Sequence, residues 1–200
     1  MKLNEVFLKD VNRSIEGVVK ADDVDHLGVE VEGKTLPVPR RPENPNLRNY
    51  RLATLKEKYS DVAERDFDGV SQVMAMDKEG LDLAFLFPTR GLFVLGIDGL
   101  DPELAAAISR AYNNWLFDFA QAAPDRMICI GMVPPQNVDA AVAETKRTVT
   151  EKGFKGIFMR PNQTNGLCWS DPYYDPLWDV CQSLNIPAGF HEAGRVYQPQ

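Results

Sequence analysis

Ile186-Pro187-Ala188-Gly189-Phe190-His191-Glu192-Ala193-Gly194 is the stretch whose reading decides the fold. It is a short apolar run that delivers a histidine to its C-terminal end. In α/β folds the strand tips and the loops after them form the open rim of the sheet, where chemistry is kept. His191 is therefore the first candidate functional residue. Only six residues follow Gly194, so partners of His191 from later strands are expected to lie beyond this sequence.

Working backwards, the same unit recurs. Asp175-Pro176 opens a helix carrying Leu177, Trp178, Cys181 and Leu184. Gly156-Ile157-Phe158-Met159 reads as a strand ending in Arg160-Pro161. Asn137 caps a helix with an apolar face of Val138, Ala141, Val142, Thr145 and Val149, stopping at Gly153. Met127–Val133 is a strand closed by Pro134-Pro135. Asp101-Pro102 starts a long amphipathic helix with Leu104, Ile108, Ala111, Trp115 and Phe119 three or four apart. Leu81–Phe87 is a strand closed by Pro88, and Phe67, Val70, Val73, Met74 and Met76 suit a helix ending near Gly80. These strands are apolar almost throughout, as parallel strands covered on both faces are. Four parallel strands with three intervening helices fit an open doubly wound sheet or an arc of a (β/α)8 barrel. No G-x-G-x-x-G or P-loop follows any strand, which counts against a nucleotide-binding sheet.

Residues 1–50 differ. Val18-Val19-Lys20 and Leu27–Lys34 alternate like a hairpin turning at Asp22-Asp23, and Pro37, Pro39, Pro42 and Pro45 then impose an extended arm. The expected division is a hairpin and arm over 1–50 and an α/β unit over 51–200. The net charge of −7 argues against nucleic acid, and no apolar run reaches the ~20 residues a membrane span needs. The three cysteines, odd in number and without a C-x-x-C pair, suit reduced thiols in a cytoplasmic protein. Cys168 and Cys181 are expected as small packing residues. Asp23, Asp25 and His26 read as a solvated turn.

From about Asp66 to Gly194 the chain resembles the amidohydrolase-related branch of metal-dependent TIM barrels, which includes aminocarboxymuconate semialdehyde decarboxylase. The resemblance rests on Leu83–Pro88, Ala111-Tyr112-Asn113-Asn114-Trp115-Leu116, Pro124-Asp125-Arg126 leading into Gly131-Met132-Val133-Pro134, Gly153–Ile157, and Asp171–Trp178 leading into the strand of His191. It implies an α/β fold that is a partial (β/α)8 barrel with parallel strands, preceded by the N-terminal hairpin and arm. It implies metal-dependent hydrolysis or nonoxidative decarboxylation of a small carboxylate substrate, the metal being zinc, which would act as a Lewis acid or lower the pKa of bound water. His191 matches the family's fifth-strand metal ligand. The family's first-strand ligand pair and eighth-strand aspartate have no counterpart here. The alternative is a non-catalytic fragment or subunit lacking most of the metal centre, associating with itself or others through open barrel edges.

Arg160, at the tip of the strand before His191, is a candidate partner for a substrate carboxylate through its planar fork, against an ion pair with a rim aspartate. Arg90, just past Pro88, has a similar case on the same rim. Glu192 is either an acid/base carboxylate or a solvent-facing loop charge, because neighbouring strand residues point to opposite sides. Trp115, Phe117 and Phe119 read as helix packing, and Trp169, in a rim loop, as an aromatic packed on its own loop, against one that lines a pocket. His191 and Arg160 are expected to open onto one cavity.

Overall fold

The computed structural model describes residues 29–31, 34–36, 57–65, 67–88 and 95–191. The elements follow from local sequence. Helix α1 is Ser60–Glu64 and α2 is Gly69–Glu79, begun by Asp68 accepting from the Ser71 N–H. Gly80 stops α2 in the left-handed conformation at φ 65°. Strand β3, Ala84–Leu86, leads to α3, Pro102–Ala120, whose N-cap Asp101 accepts from the Leu104 N–H with Pro102 at the first turn. Then come β4 (Met127–Cys129), β5 (Gly131–Met132), and α4 (Val138–Lys152), which Asn137 caps at Ala140 and Gly153 ends at φ 73°. Strand β6 is Ile157–Met159, a 3-10 turn covers Pro172–Tyr174, α5 is Asp175–Ser183 and β7 is Ala188–Phe190.

Pairing is parallel throughout this part: β3 with β4, β5 with β6, and β6 with β7. The expected strand over Met127–Val133 is divided at Ile130, and its two segments serve opposite neighbours. The Ile130 N–H donates to Leu86 of the β3 strand, whereas the Gly131 N–H donates to Gly156 before β6. The lateral order is thus β3, β4/β5, β6, β7, the order of the chain, with all tips on one side.

An antiparallel pair precedes this sheet, β1 (Val29–Val31) against β2 (Lys34–Leu36), with Val31 opposite Lys34. This corrects the expected hairpin. The run read as one strand, Leu27–Lys34, is divided between β1 and β2, because a glycine between two short alternating runs is itself a hairpin signal. The turn at Asp22-Asp23, the first arm Val18–Lys20 and the proline arm lie outside the described residues.

Helices cover one face of the sheet in two clusters. Leu104, Ala105, Ile108, Ala111 and Leu116 of α3 pack with Met127, Cys129 and Met76. Ile157 and Met159 of β6 pack with Leu177, Val180 and Cys181 of α5 and with Tyr174. Trp115 and Phe119 are partly buried against the first cluster, as their helical spacing implied. Phe67 and Val70, expected on the buried face of α2, are instead 63% and 46% exposed. Asp68 starts the helix after Phe67, which sits at φ 55° before it. The approach to α3 is made by Gly69, where a Cβ would lie 2.2 Å from the Phe119 carbonyl oxygen.

One buried polar network joins α3, β5 and α4. The Asn113 amide, fully buried, donates to Met132 O at 2.9 Å and to Glu144 Oε1 at 2.8 Å, and accepts from the Met132 N–H at 2.8 Å. It gives β5 both hydrogen bonds that a further backbone would give. Arg147 completes the network by donating to both Glu144 oxygens and to Asn114 Oδ1.

Candidate functional site

Side-chain alternation fixes which residues the strands turn away from the helices. Ile157 and Met159 face α5, so Phe158 and Arg160 face the other way. Gly189 pairs with Phe158, and the His191 N–H donates to Met159 O at 3.0 Å, continuing the ladder past β7. The His191 ring lies edge-on to Phe158 at 6.1 Å and tilted to Phe87, from the end of the β3 strand, at 5.9 Å. Phe87 and Phe158 themselves meet edge to face at 6.3 Å. His191 thus stands at the strand tips on the face opposite the helices, exposed, over two aromatic rings.

Arg160 is on the same face but deeply covered, 6% exposed. It lines a small cavity under the rim with Leu95, Val133, Pro135, Phe158, Met159, Thr164 and Trp169; His191 is not among the lining residues, so the two do not open onto one cavity as expected. Phe158 links the two candidates, touching the His191 ring and walling the cavity of Arg160. Three rim loops enclose that cavity. Gln136 Nε2 donates to the carbonyls of Leu95 (2.9 Å) and Ile97 (3.3 Å), tying the loop before α3 to the tip of β5. Asn165 donates its N–H to Asp98 and accepts from the Gly99 N–H, tying that loop to the one after β6. The Trp169 indole N–H donates to the Arg160 carbonyl, and its ring packs on Tyr174 at 4.5 Å. Tyr174 in turn donates to Pro135 O at 3.1 Å.

Arg90, Glu192 and His26 lie outside the described residues. Trp169 does pack on its neighbours as expected, yet it also walls the cavity and holds the Arg160 backbone. Cys181 is buried, as expected, but Cys168 is exposed and accepts from Gln163 rather than filling core. Gln136, Gly96 and the Asn113 pair of bonds were not anticipated. The only sequence signals for them were a glutamine directly after the strand-closing Pro134-Pro135 and an asparagine amid the apolar face of a helix.

Burial raises the Cys129 thiol to about 11 and the Tyr174 phenol to about 12. Neither group serves as an acid or base near neutral pH. Among the described residues no three His, Cys, Asp or Glu side chains come close enough together to hold a metal ion. His191 supplies one donor, so these residues alone do not make a metal centre.

Parallel strands in chain order, helices on one face, and polar residues gathered at the strand tips of the other define an arc of a β/α barrel with its site at the rim. The chain belongs to the amidohydrolase family: the family model described as amidohydrolase matches residues 31–199. It is 30% identical over 96 residues to gamma-resorcylate decarboxylase of Rhizobium radiobacter, covering 46% of this chain and 29% of that one. It is 27% identical over 145 residues to 2-amino-3-carboxymuconate-6-semialdehyde decarboxylase of Dictyostelium discoideum, covering 71% and 39%. A crystal structure of 5-carboxyvanillate decarboxylase from Novosphingobium aromaticivorans, with bound manganese and a nitrobenzoic acid, superposes with a TM-score of 0.56 at 30% identity, covering 62% and 35%. The chain thus spans well under half the length of these relatives. The partial-barrel expectation agrees with that superposition. No helix among the described residues is long and apolar enough to cross a membrane.

Proposed function

We propose that the protein to which this chain belongs is a divalent-metal-dependent decarboxylase of a small, ring-bearing carboxylate, with His191 as one metal ligand and Arg160 as the partner of a substrate carboxylate. The observation that carries the reading is the family match over 31–199 together with His191 at the tip of β7, on the face turned away from the helices. Decarboxylation is preferred to hydrolysis because the relatives described above are decarboxylases. The rings of Phe87 and Phe158 beneath His191 suit a planar apolar substrate body. Arg160, whose guanidinium stays charged at any working pH, suits the carboxylate.

The divalent ion would lend a positive charge to the developing electron pair when bound. The resemblance points to zinc, whereas manganese is bound in the superposed decarboxylase, so the proposal is for a divalent cation of this class. No three donors come together among the described residues, so further ligands beside His191 would be supplied from outside them. Arg90 and Glu192 remain proposed rim residues, for carboxylate contact and proton transfer respectively. A non-catalytic chain that keeps only the scaffold is the competing reading, favoured by the lack of any cluster of three metal-donor side chains among the described residues.

The experiment is to supply 2,6-dihydroxybenzoate to the purified protein, with manganese or zinc, and follow loss of the substrate and release of carbon dioxide. Metal-stimulated turnover that Arg160→Met lowers mainly through KM supports the proposal. Turnover of the same size without added metal and in the presence of a chelator contradicts it.

A further inference from the structure

We propose that Gly96 is a positioning residue for Arg160: the side chain it lacks is the seat on which the guanidinium lies. A Cβ at Gly96 would stand 2.8 Å from Arg160 Nη1 and 3.5 Å from both Cδ and Cζ. The contact runs along the end of the arginine, so it is a flat seat and not a brush with one atom. The backbone gives no other reason for glycine here. Among the described residues the glycines in the left-handed region are Gly80, Gly99, Gly153 and Gly166, and Gly96 is not one of them.

The seat is itself held. Gln136 donates to the carbonyls of Leu95 and Ile97, the residues on either side of Gly96, so the tip of β5 sets its height. The Asp98–Asn165–Gly99 bonds anchor the same loop from the β6 side, and Trp169 holds the Arg160 carbonyl. Both ends of the arginine are therefore located by different loops. A guanidinium placed before the ligand arrives presents its fork in one plane and loses little freedom on binding. The inference rests on the reading of Arg160 as a carboxylate partner and adds the residue that aims it.

The test is a double-mutant cycle of Gly96→Ala and Arg160→Met, read by urea unfolding and by affinity for 2,6-dihydroxybenzoate. In the unmutated background Gly96→Ala should lower the urea midpoint and weaken the affinity about tenfold. In the Arg160→Met background the same change should leave affinity as it was, and leave the midpoint equal or slightly higher, since alanine restricts the unfolded chain. Equal effects of Gly96→Ala in both backgrounds would overturn the inference. Unchanged affinity on Arg160→Met alone, or no uptake of the probe by the unmutated protein, would overturn the carboxylate reading instead. The two failures are distinguishable because the stability arm does not need the ligand.

Discussion

Replacing Asn113 by alanine removes three hydrogen bonds at one stroke from a place water does not reach. Asn113 and Met132 are 0% exposed and Glu144 is 4% exposed. Two of the bonds go to the backbone N–H and carbonyl of Met132, and the third to a Glu144 oxygen. A neutral bond contributes about 1 kcal/mol net and one to a charged group about 1.5–3, so the substitution should destabilise by about 4 kcal/mol. Glu144 keeps its two bonds from Arg147, which holds the cost near that figure. Asn113→Asp is the sharper companion, since it keeps the acceptor for the Met132 N–H but sets a carboxylate against Glu144 and the Met132 carbonyl. It should cost at least as much at neutral pH. Urea unfolding followed by circular dichroism reads both. A loss below about 1 kcal/mol for Asn113→Ala would refute the claim that this amide stands in for a neighbouring backbone at β5.

Three other outcomes are expected of the folded chain. An alkylating reagent at pH 8 should modify Cys168 in the folded protein and spare Cys129 and Cys181, all three reacting in urea; equal labelling of Cys129 in the native state would contradict its burial. Because burial lifts the Cys129 thiol from 9.0 to about 11, the unfolded chain loses this proton first, so stability should be full below about pH 9 and fall towards pH 11. Cys129→Ala should flatten that decline, and an unchanged profile would count against it. Asn137→Ala should cost about 1 kcal/mol by uncapping α4, and a neutral result in urea unfolding would contradict the capping bond to Ala140.

The regular elements were legible because their ends are chemical. Gly80 and Gly153 stop helices in the left-handed region, and Asp101 and Asn137 begin them with side-chain caps. The apolar runs gave strand order because the helical connections between parallel strands leave few topologies. What periodicity could not show is where one strand changes partners, as at Ile130, since hydrogen-bond direction leaves no mark on side-chain type. It also misplaced Phe67, because an apolar residue in phase with a helix still lies outside it when the next residue is the cap. His191 and Arg160 were visible as polar residues ending apolar strands. Gly96 and Gln136 were not, because their parts depend on loops far apart in sequence meeting above β5.

The central claim, that His191 at the tip of β7 is a metal ligand of an amidohydrolase-type centre, is tested most directly by metal content. The protein carrying this chain together with the strands that complete the barrel would be dialysed against a mild chelator and its manganese and zinc measured by elemental analysis. About one divalent ion per chain should survive in the unmutated protein, and His191→Ala should remove most of it while the circular dichroism spectrum is kept. Full retention of the metal by folded His191→Ala would contradict the account.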